Sequence, residues 1–159
     1  MPYQAVILTV SDSCAAGTRT DTSGPAIRAM LENAGFAVQA MQTVPDEEGQ
    51  ISAAIVHACD ILQADLVVTT GGTGLSPHDV TPEATLAVLD REIRAIPVAM
   101  WVEGLKSTPR AMLSRAVAGT RGHTLVLNVP GSEKAARENL SAVVATLDHA
   151  LRMLAGGGH

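Results

Sequence analysis

Aromatic residues are nearly missing from this chain: Tyr3, Phe36 and Trp101 make up 2% of 159 residues. A core must therefore be built from Ala, Val, Ile, Leu and Met. The stacked aromatic platforms of single-strand nucleic-acid binders are not available. A basic surplus is lacking as well. Eleven Lys and Arg stand against sixteen Asp and Glu, a net charge of −5, where a nucleic-acid binder would carry a basic face. Cysteine is scarce, and Cys14 and Cys59 sit in no CxxC or Cys/His spacing. That excludes a zinc-finger pattern or a disulfide framework. With no secretory leader at its start, the chain is expected in the reducing cytoplasm. No apolar run approaches the ~18 residues of a membrane span, so no membrane partner is expected.

What remains is a strongly apolar chain, 47% hydrophobic and 17% charged, which rules out disorder. The length implies one domain over residues 1–155, with 156–159 (Gly-Gly-Gly-His) as a disordered tail. Apolar runs at 5–10, 65–70 and 124–129 are short, β-branched and without polar alternation. Such runs suit strands covered on both faces. Residues 37–44 read as another strand, and 115–120 as one arm of a hairpin turning at Arg121-Gly122. Helical spacing recurs in Ile27, Met30, Leu31 and Ala34, which stop at Gly35, and in Ile51, Ile55, Ala58 and Leu62. The longest stripe is Leu140, Val143, Val144, Leu147, Leu151 and Leu154, behind Ser132 as cap. Alternating strands and helices predict a three-layer α/β/α fold around a mostly parallel, mixed sheet.

Each buried run empties into small residues. The first leads to Ser11-Asp12-Ser13, the third to Gly71-Gly72-Thr73-Gly74 and the last to Pro130-Gly131-Ser132. In open α/β sheets ligands bind outside the carboxyl ends of strands, and each loop leads toward a helix N-terminus that favours anions. One such loop alone is as readily a tight turn. Gly-Gly-Thr-Gly is neither a Walker A loop nor a dinucleotide fingerprint. Three on one rim tip the reading toward a phosphate site.

Two acids join them. Asp79 follows the glycine loop, ahead of Thr81 as N-cap and Pro82 as first helical residue, and Asp46 follows Pro45 ahead of another helix. Either alone is an ordinary helix-start residue. Together they oppose an anion, because a carboxylate ~4 Å from a phosphate charge costs about 4 kcal/mol at an effective dielectric near 20. A divalent cation resolves the conflict. Mg²⁺ takes one or two carboxylates and completes its shell with substrate phosphates, which points to transfer of a phosphoryl or nucleotidyl group.

The string from Thr69 through Gly74, then Asp79-Val80-Thr81-Pro82-Glu83-Ala84-Thr85, resembles the molybdopterin-binding domain of the MogA/MoaB type. The likeness continues through Thr9–Ser13, Val44–Glu47, Ala111–Arg115 and Leu127–Ser132, spanning nearly the whole chain. This is the family of molybdopterin adenylyltransferases of molybdenum cofactor biosynthesis. The resemblance implies a three-layer α/β domain that transfers AMP from Mg-ATP to molybdopterin and releases pyrophosphate. It further implies a homotrimer, or a dimer of such trimers, with transient contact to the molybdate-inserting enzyme. It assigns Asp46 and Asp79 as catalytic, Mg²⁺-holding acids. The substrate pocket maps onto Ser11, Asp12, Ser13, Gly71, Gly72, Thr73, Gly74, His78, Ser114, Pro130, Gly131 and Ser132. Two departures stand out. Members often carry Arg where this chain has His78, and Pro-Gly where it has Pro97-Val98. A neutral or partly charged imidazole cannot replace a guanidinium fork on phosphate. The alternative is a non-catalytic molybdopterin binder or carrier of the same fold, and a third is a nucleotide-binding or hydrolytic module.

The remaining residues carry plainer expectations. Arg115 and Lys134 read as surface cations, Cys14 and Cys59 as small buried hydrophobes, and Met30, Met41, Met100, Met112 and Met153 as core fillers. Trp101 belongs in the core or at a subunit contact.

Overall fold

A computed structural model of the chain describes residues 1–157. Six strands form one sheet in the order β2-β1-β3-β6-β5-β4. Four are mutually parallel: β1 (Gln4–Val10), β2 (Ala37–Val44), β3 (Leu66–Thr70) and β6 (Thr124–Val129). The hairpin strand β5 (Ala118–Arg121) runs antiparallel to β6 and to the two-residue β4 (Arg91–Glu92). The sheet is thus mixed and mostly parallel, as the sequence pattern predicts.

Helices cover both faces, and strand alternation sorts the core between them. Ala5, Ile7, Leu66, Val68, Leu125 and Leu127 point to one side. There they meet α2 (Ser23–Asn33), α5 (Ala95–Leu105) and α6 (Glu133–Leu154) through Ile27, Leu31, Met100, Leu140 and Leu147. Val6, Leu8, Val67 and Val126 point the other way, onto Ile51, Ile55, Ala58 and Ala84 of α3 (Glu48–Val56), the π-helical turn His57–Ile61 and α4 (Thr81–Leu86). With neither face wet, these strands need no polar alternation.

Register decides where the loops emerge. Thr9 lies beside Thr70 and Thr70 beside Val129, so β1, β3 and β6 end in one row. The helix after β1 crosses one face and the helix after β2 the other. The crevice between these opposite crossovers opens at the carboxyl ends of β1 and β3.

Several local expectations change. The start of the expected hairpin arm leaves it: the Arg115 N–H donates to the Thr73 carbonyl (2.8 Å). Val117 stays against β6, its carbonyl accepting from the Asn128 N–H (3.0 Å) and its N–H donating to Asn128 Oδ1 (3.1 Å). Thr81 is not the N-cap of α4. It is the first helical residue, fully buried, and its hydroxyl donates to the Gly71 carbonyl at 2.9 Å. Met100 fills the core, whereas Met41, Met112 and Met153 are exposed: Met41 lies in the edge strand β2, and the turn Pro109–Leu113 that carries Met112 has no buried residue. Ser132 does cap α6, accepting from the Ala135 N–H at 3.2 Å. At the other end the N–H groups of Gly156 and Gly157 close the helix on Met153 and Arg152; the rest of the expected tail, Gly158 and His159, lies outside the described residues. Among the described residues no helix is long and apolar enough to cross a membrane.

Candidate functional site

The glycine loop folds back over the end of β1, and its sequence follows from that path. Gly71 (φ +104°) and Gly72 (φ +68°) are left-handed. A side chain on Gly71 would strike the Val10 carbonyl, and one on Gly72 the Thr81 hydroxyl. Carbonyls of the loop are bound from behind. The Thr81 N–H holds that of Gly72 (3.1 Å), and the Arg115 N–H holds that of Thr73. The Arg115 guanidinium completes the set, Nε donating to Gly74 O (2.8 Å) and Nη2 to Asp79 O (2.7 Å). Its Nη1 meets Glu83 Oε2 at 2.6 Å, which draws the Glu83 carboxyl below its ordinary value. Arg115 is therefore a clamp on the loop rather than a solvated surface charge. Among the described residues, the N–H groups of Gly72, Thr73 and Gly74 meet no acceptor. Carbonyls tied back and amides free is the arrangement that receives an anion.

The neighbouring loops are fastened to this one. Thr70 Oγ1 donates to Pro130 O at 2.7 Å, and Ser23 Oγ to Gly131 O at 2.8 Å. Ser11 caps the short helix α1 (Asp12–Ala15), accepting from the Cys14 N–H at 3.2 Å, and its hydroxyl lies 3.2 Å from that of Ser13. Asp21, one residue before the N-cap Thr22 of α2, accepts from the Gly24 N–H (3.0 Å) and from Thr9 Oγ1 (2.7 Å).

The acids gather at the same rim. Asp12 and Asp46 exchange bonds: the Asp46 N–H donates to Asp12 Oδ1 (2.8 Å) and the Asp12 N–H to Asp46 Oδ2 (3.1 Å). Burial raises Asp46 above the usual aspartate value, and the charges of Asp12 and Asp79 add to the rise against the Asp12 N–H. Asp79 Oδ2 accepts from the Ser76 N–H at 3.0 Å. Among the described residues neither Asp46 nor Asp79 forms an ion pair.

A cleft with two lobes runs past this rim. The larger lobe, ≈ 640 Å³, is walled by Gly72, Thr73, Gly74, Ser114 and the Pro130–Ser132 loop. The smaller, ≈ 370 Å³, is walled by Ser11, Gly71, Asp46 and the loop before α2. Gly72, Asp79, Gly131 and Ser132 border both. Most residues singled out by sequence thus meet around one cleft. Three do not line it: Asp12 acts on Asp46 from behind, Ser13 supports Ser11, and His78 is exposed off both walls.

Other wall residues escaped the sequence reading. Cys14, half-buried rather than buried, lines the smaller lobe with Arg19 and Asp21. Arg110, Glu138 and Asn139 line the larger. A signal existed for Asp21, three residues before Gly24 at a helix start; none marked Asn139, which sits inside an amphipathic stripe. Two hard carboxylates on one wall, outside any ion pair among the described residues, have the donor chemistry of a divalent-cation site. Among the described residues no group of three or more His, Cys, Asp or Glu is set to hold a metal.

Comparison with known proteins identifies the family. A family model described as "Probable molybdopterin binding domain" matches residues 6–149. The chain is 36% identical to the molybdopterin adenylyltransferase of Helicobacter pylori J99 over 154 residues, covering 94% of this chain and 86% of that one. Against the molybdenum cofactor synthesis protein cinnamon of Drosophila melanogaster the identity is 39% over 93% of this chain, but only 25% of that protein. Against a molybdenum cofactor biosynthesis bifunctional protein of Chlorobaculum tepidum it is 41%, with 98% and 50% covered. The chain thus spans a quarter to a half of these two longer relatives. Among solved structures, the molybdopterin biosynthesis enzyme MoaB of Thermus thermophilus superposes with a TM-score of 0.92 at 49% identity, 97% of each chain covered.

Proposed function

The chain belongs to the molybdopterin-binding domain family, and we propose that it works in molybdenum cofactor biosynthesis as a molybdopterin adenylyltransferase. An oxygen of molybdopterin's terminal phosphate attacks the α-phosphorus of ATP. The bond from that phosphorus to the β-bridging oxygen breaks, giving adenylyl-molybdopterin and pyrophosphate. The observation that carries this reading is the juxtaposition, in one cleft, of three loop amides without acceptors and two acids outside any ion pair, among the described residues.

The nucleophile is already an anion, so the protein needs no side-chain base. Its task is alignment of two phosphates and control of their charge. The N–H groups of Gly72, Thr73 and Gly74 cradle one anion, while Ser132 and the start of α6 receive another across the shared wall. Asp12 keeps Asp46 turned toward the smaller lobe. Asp46 and Asp79 would hold Mg²⁺, which when bound supplies neutralisation of the triphosphate charge. Assembly as a homotrimer, transient hand-over to a molybdate-inserting enzyme and a cytoplasmic setting complete the proposal. For the trimer the support is an exposed apolar face on α5, formed by Val98, Val102 and Leu105.

The test is AMP transfer to molybdopterin in excess Mg²⁺ by Asp46→Asn and Asp79→Asn. Each should lose about 100-fold or more in turnover, the scale on which removal of one electrostatic element acts. Turnover near that of the unaltered protein in both variants would overturn the reading. Molybdopterin binding without pyrophosphate release by the unaltered protein would mark a carrier.

A further inference from the structure

The far wall of the larger lobe is one face of α6. Ser132, Ala135, Glu138 and Asn139 succeed one another at helical spacing along it. Asn139 is 4% exposed. Its Nδ2 donates to the Ala135 carbonyl at 2.9 Å, which fixes the amide orientation, since the reverse would set oxygen against oxygen. Its Oδ1 then has no donor among the described residues. Buried acceptors are seldom left so without reason. Beside it Glu138 brings a carboxylate only loosely paired, at 3.9 Å, with the Lys134 ammonium. This face of α6 therefore adds two acceptors to a lobe whose wall also carries Thr108 and Arg110.

The other end offers the opposite. There the loop amides of 72–74 and the start of α6 present N–H groups. Seven residues at ~1.5 Å each set Ser132 and Asn139 about 10 Å apart along the helix axis. The complementary ligand is a flat heterocycle with adjacent N–H donors on one edge and a phosphate on the opposite side. A 2-amino-4-oxo pterin ring has that edge, an amino group beside a ring N–H. Adenine does not, because its ring nitrogen beside the amino group is an acceptor and would face Asn139 Oδ1 or Glu138 unfavourably.

Building on the adenylyltransferase reading, we infer that Asn139 and Glu138 are specificity-determining residues that read the amino–amide edge of the pterin in the larger lobe. The smaller, acid-rimmed lobe is left to the phosphates of ATP.

The experiment measures dissociation constants of neopterin 3′-monophosphate and of ATP by calorimetry, for the unaltered protein, Asn139→Leu and Glu138→Gln. Leu has the same branched outline as Asn, with four side-chain heavy atoms, and removes the orphaned acceptor; Gln replaces one carboxylate oxygen with a donor. Both variants should bind the pterin phosphate at least tenfold more weakly, with ATP affinity within twofold of the original. The Tm of ligand-free Asn139→Leu should not fall, since a residue serving structure alone would lower it. Unchanged pterin affinity in both variants, parallel loss of ATP, or no binding of the pterin phosphate to the unaltered protein overturns the inference. AMP transfer by the unaltered protein is scored separately. Failure there with pterin binding intact sinks the enzymatic reading and leaves this one standing; full activity with an unchanged molybdopterin KM in Asn139→Leu does the reverse.

Discussion

Asp46 is held in a charge state that its surroundings oppose. Burial is the main cause of its raised pKa, followed, against the Asp12 N–H, by the charges of Asp12 and Asp79. A carboxyl whose folded pKa exceeds its unfolded value of about 3.8 lends stability only below that value. The contribution is lost as pH rises through the raised folded pKa, so at neutral pH the ionised side chain works against folding. Asn would keep an oxygen for the Asp12 N–H and shed the charge. Asp46→Asn should therefore melt at the same temperature as the unaltered protein or up to about 3 °C higher at pH 7. The gap should close as pH falls below the Asp46 pKa, while AMP transfer collapses. A clear drop in Tm at pH 7 would instead make Asp46 a structural residue. Asp46 and Asp79 were legible in sequence because each follows a strand-end turn. Asn139 was not, because a lone polar residue among Leu140, Val143 and Leu147 gives no sign of whether its amide is solvated or orphaned.

At the scale of elements, the glycine loop depends on a residue 41 positions away from Gly74. Arg115 satisfies two loop carbonyls and a carboxylate with one planar fork, a pattern that a lysine ammonium cannot reproduce. Arg115→Lys should cost about 1–3 kcal/mol of stability through the lost bonds. It should also lower kcat/KM for ATP roughly 10–100-fold, because free amides aim at an anion only while their carbonyls are held. Glu83→Gln disturbs the same clamp on its half-exposed side and should act weakly, as surface pairs do. The pH response follows: Glu83, lowered below 4.5 by Arg115, contributes above its unfolded pKa and loses that small contribution as pH falls through the folded one. Unchanged kcat/KM in Arg115→Lys alongside a lowered Tm would detach the clamp from function. This element was half legible. The strands, the α6 stripe and the Gly35 stop follow from local periodicity and backbone freedom. The clamp does not, because two of its three partners are backbone carbonyls, which no side-chain pattern marks. Thr81 failed for a related reason: the hydroxyl that suits an N-cap was claimed by the Gly71 carbonyl behind it.

The whole molecule keeps apolar surface that its own core leaves uncovered. Val98, Val102 and Leu105 are 48%, 56% and 45% exposed on α5, where their spacing puts them on one face. Met112 and Leu113, in the 3₁₀ turn Pro109–Leu113 that follows, are 65% and 49% exposed. The Trp101 indole N–H on the same helix is buried without an acceptor among the described residues. Scattered exposed leucines need no explanation, but a contiguous apolar face with an unpaired donor beside it marks a contact surface. A homotrimer closing over α5 would cover it. The same 3₁₀ turn contributes Arg110 and Leu113 to the larger lobe, so assembly and substrate binding would share an element. Val102→Asp with Leu105→Asp should convert a particle of three times the chain mass, measured by light scattering, into single chains. The Tm of the separated chains should be retained to within a few degrees, because neither residue is in the core. The KM for molybdopterin should rise while that for ATP, bound in the other lobe, holds. If the unaltered protein already scatters as one chain, or the double variant keeps its partners, α5 is not the interface. The 3₁₀ turn would then be positioned by its own chain alone.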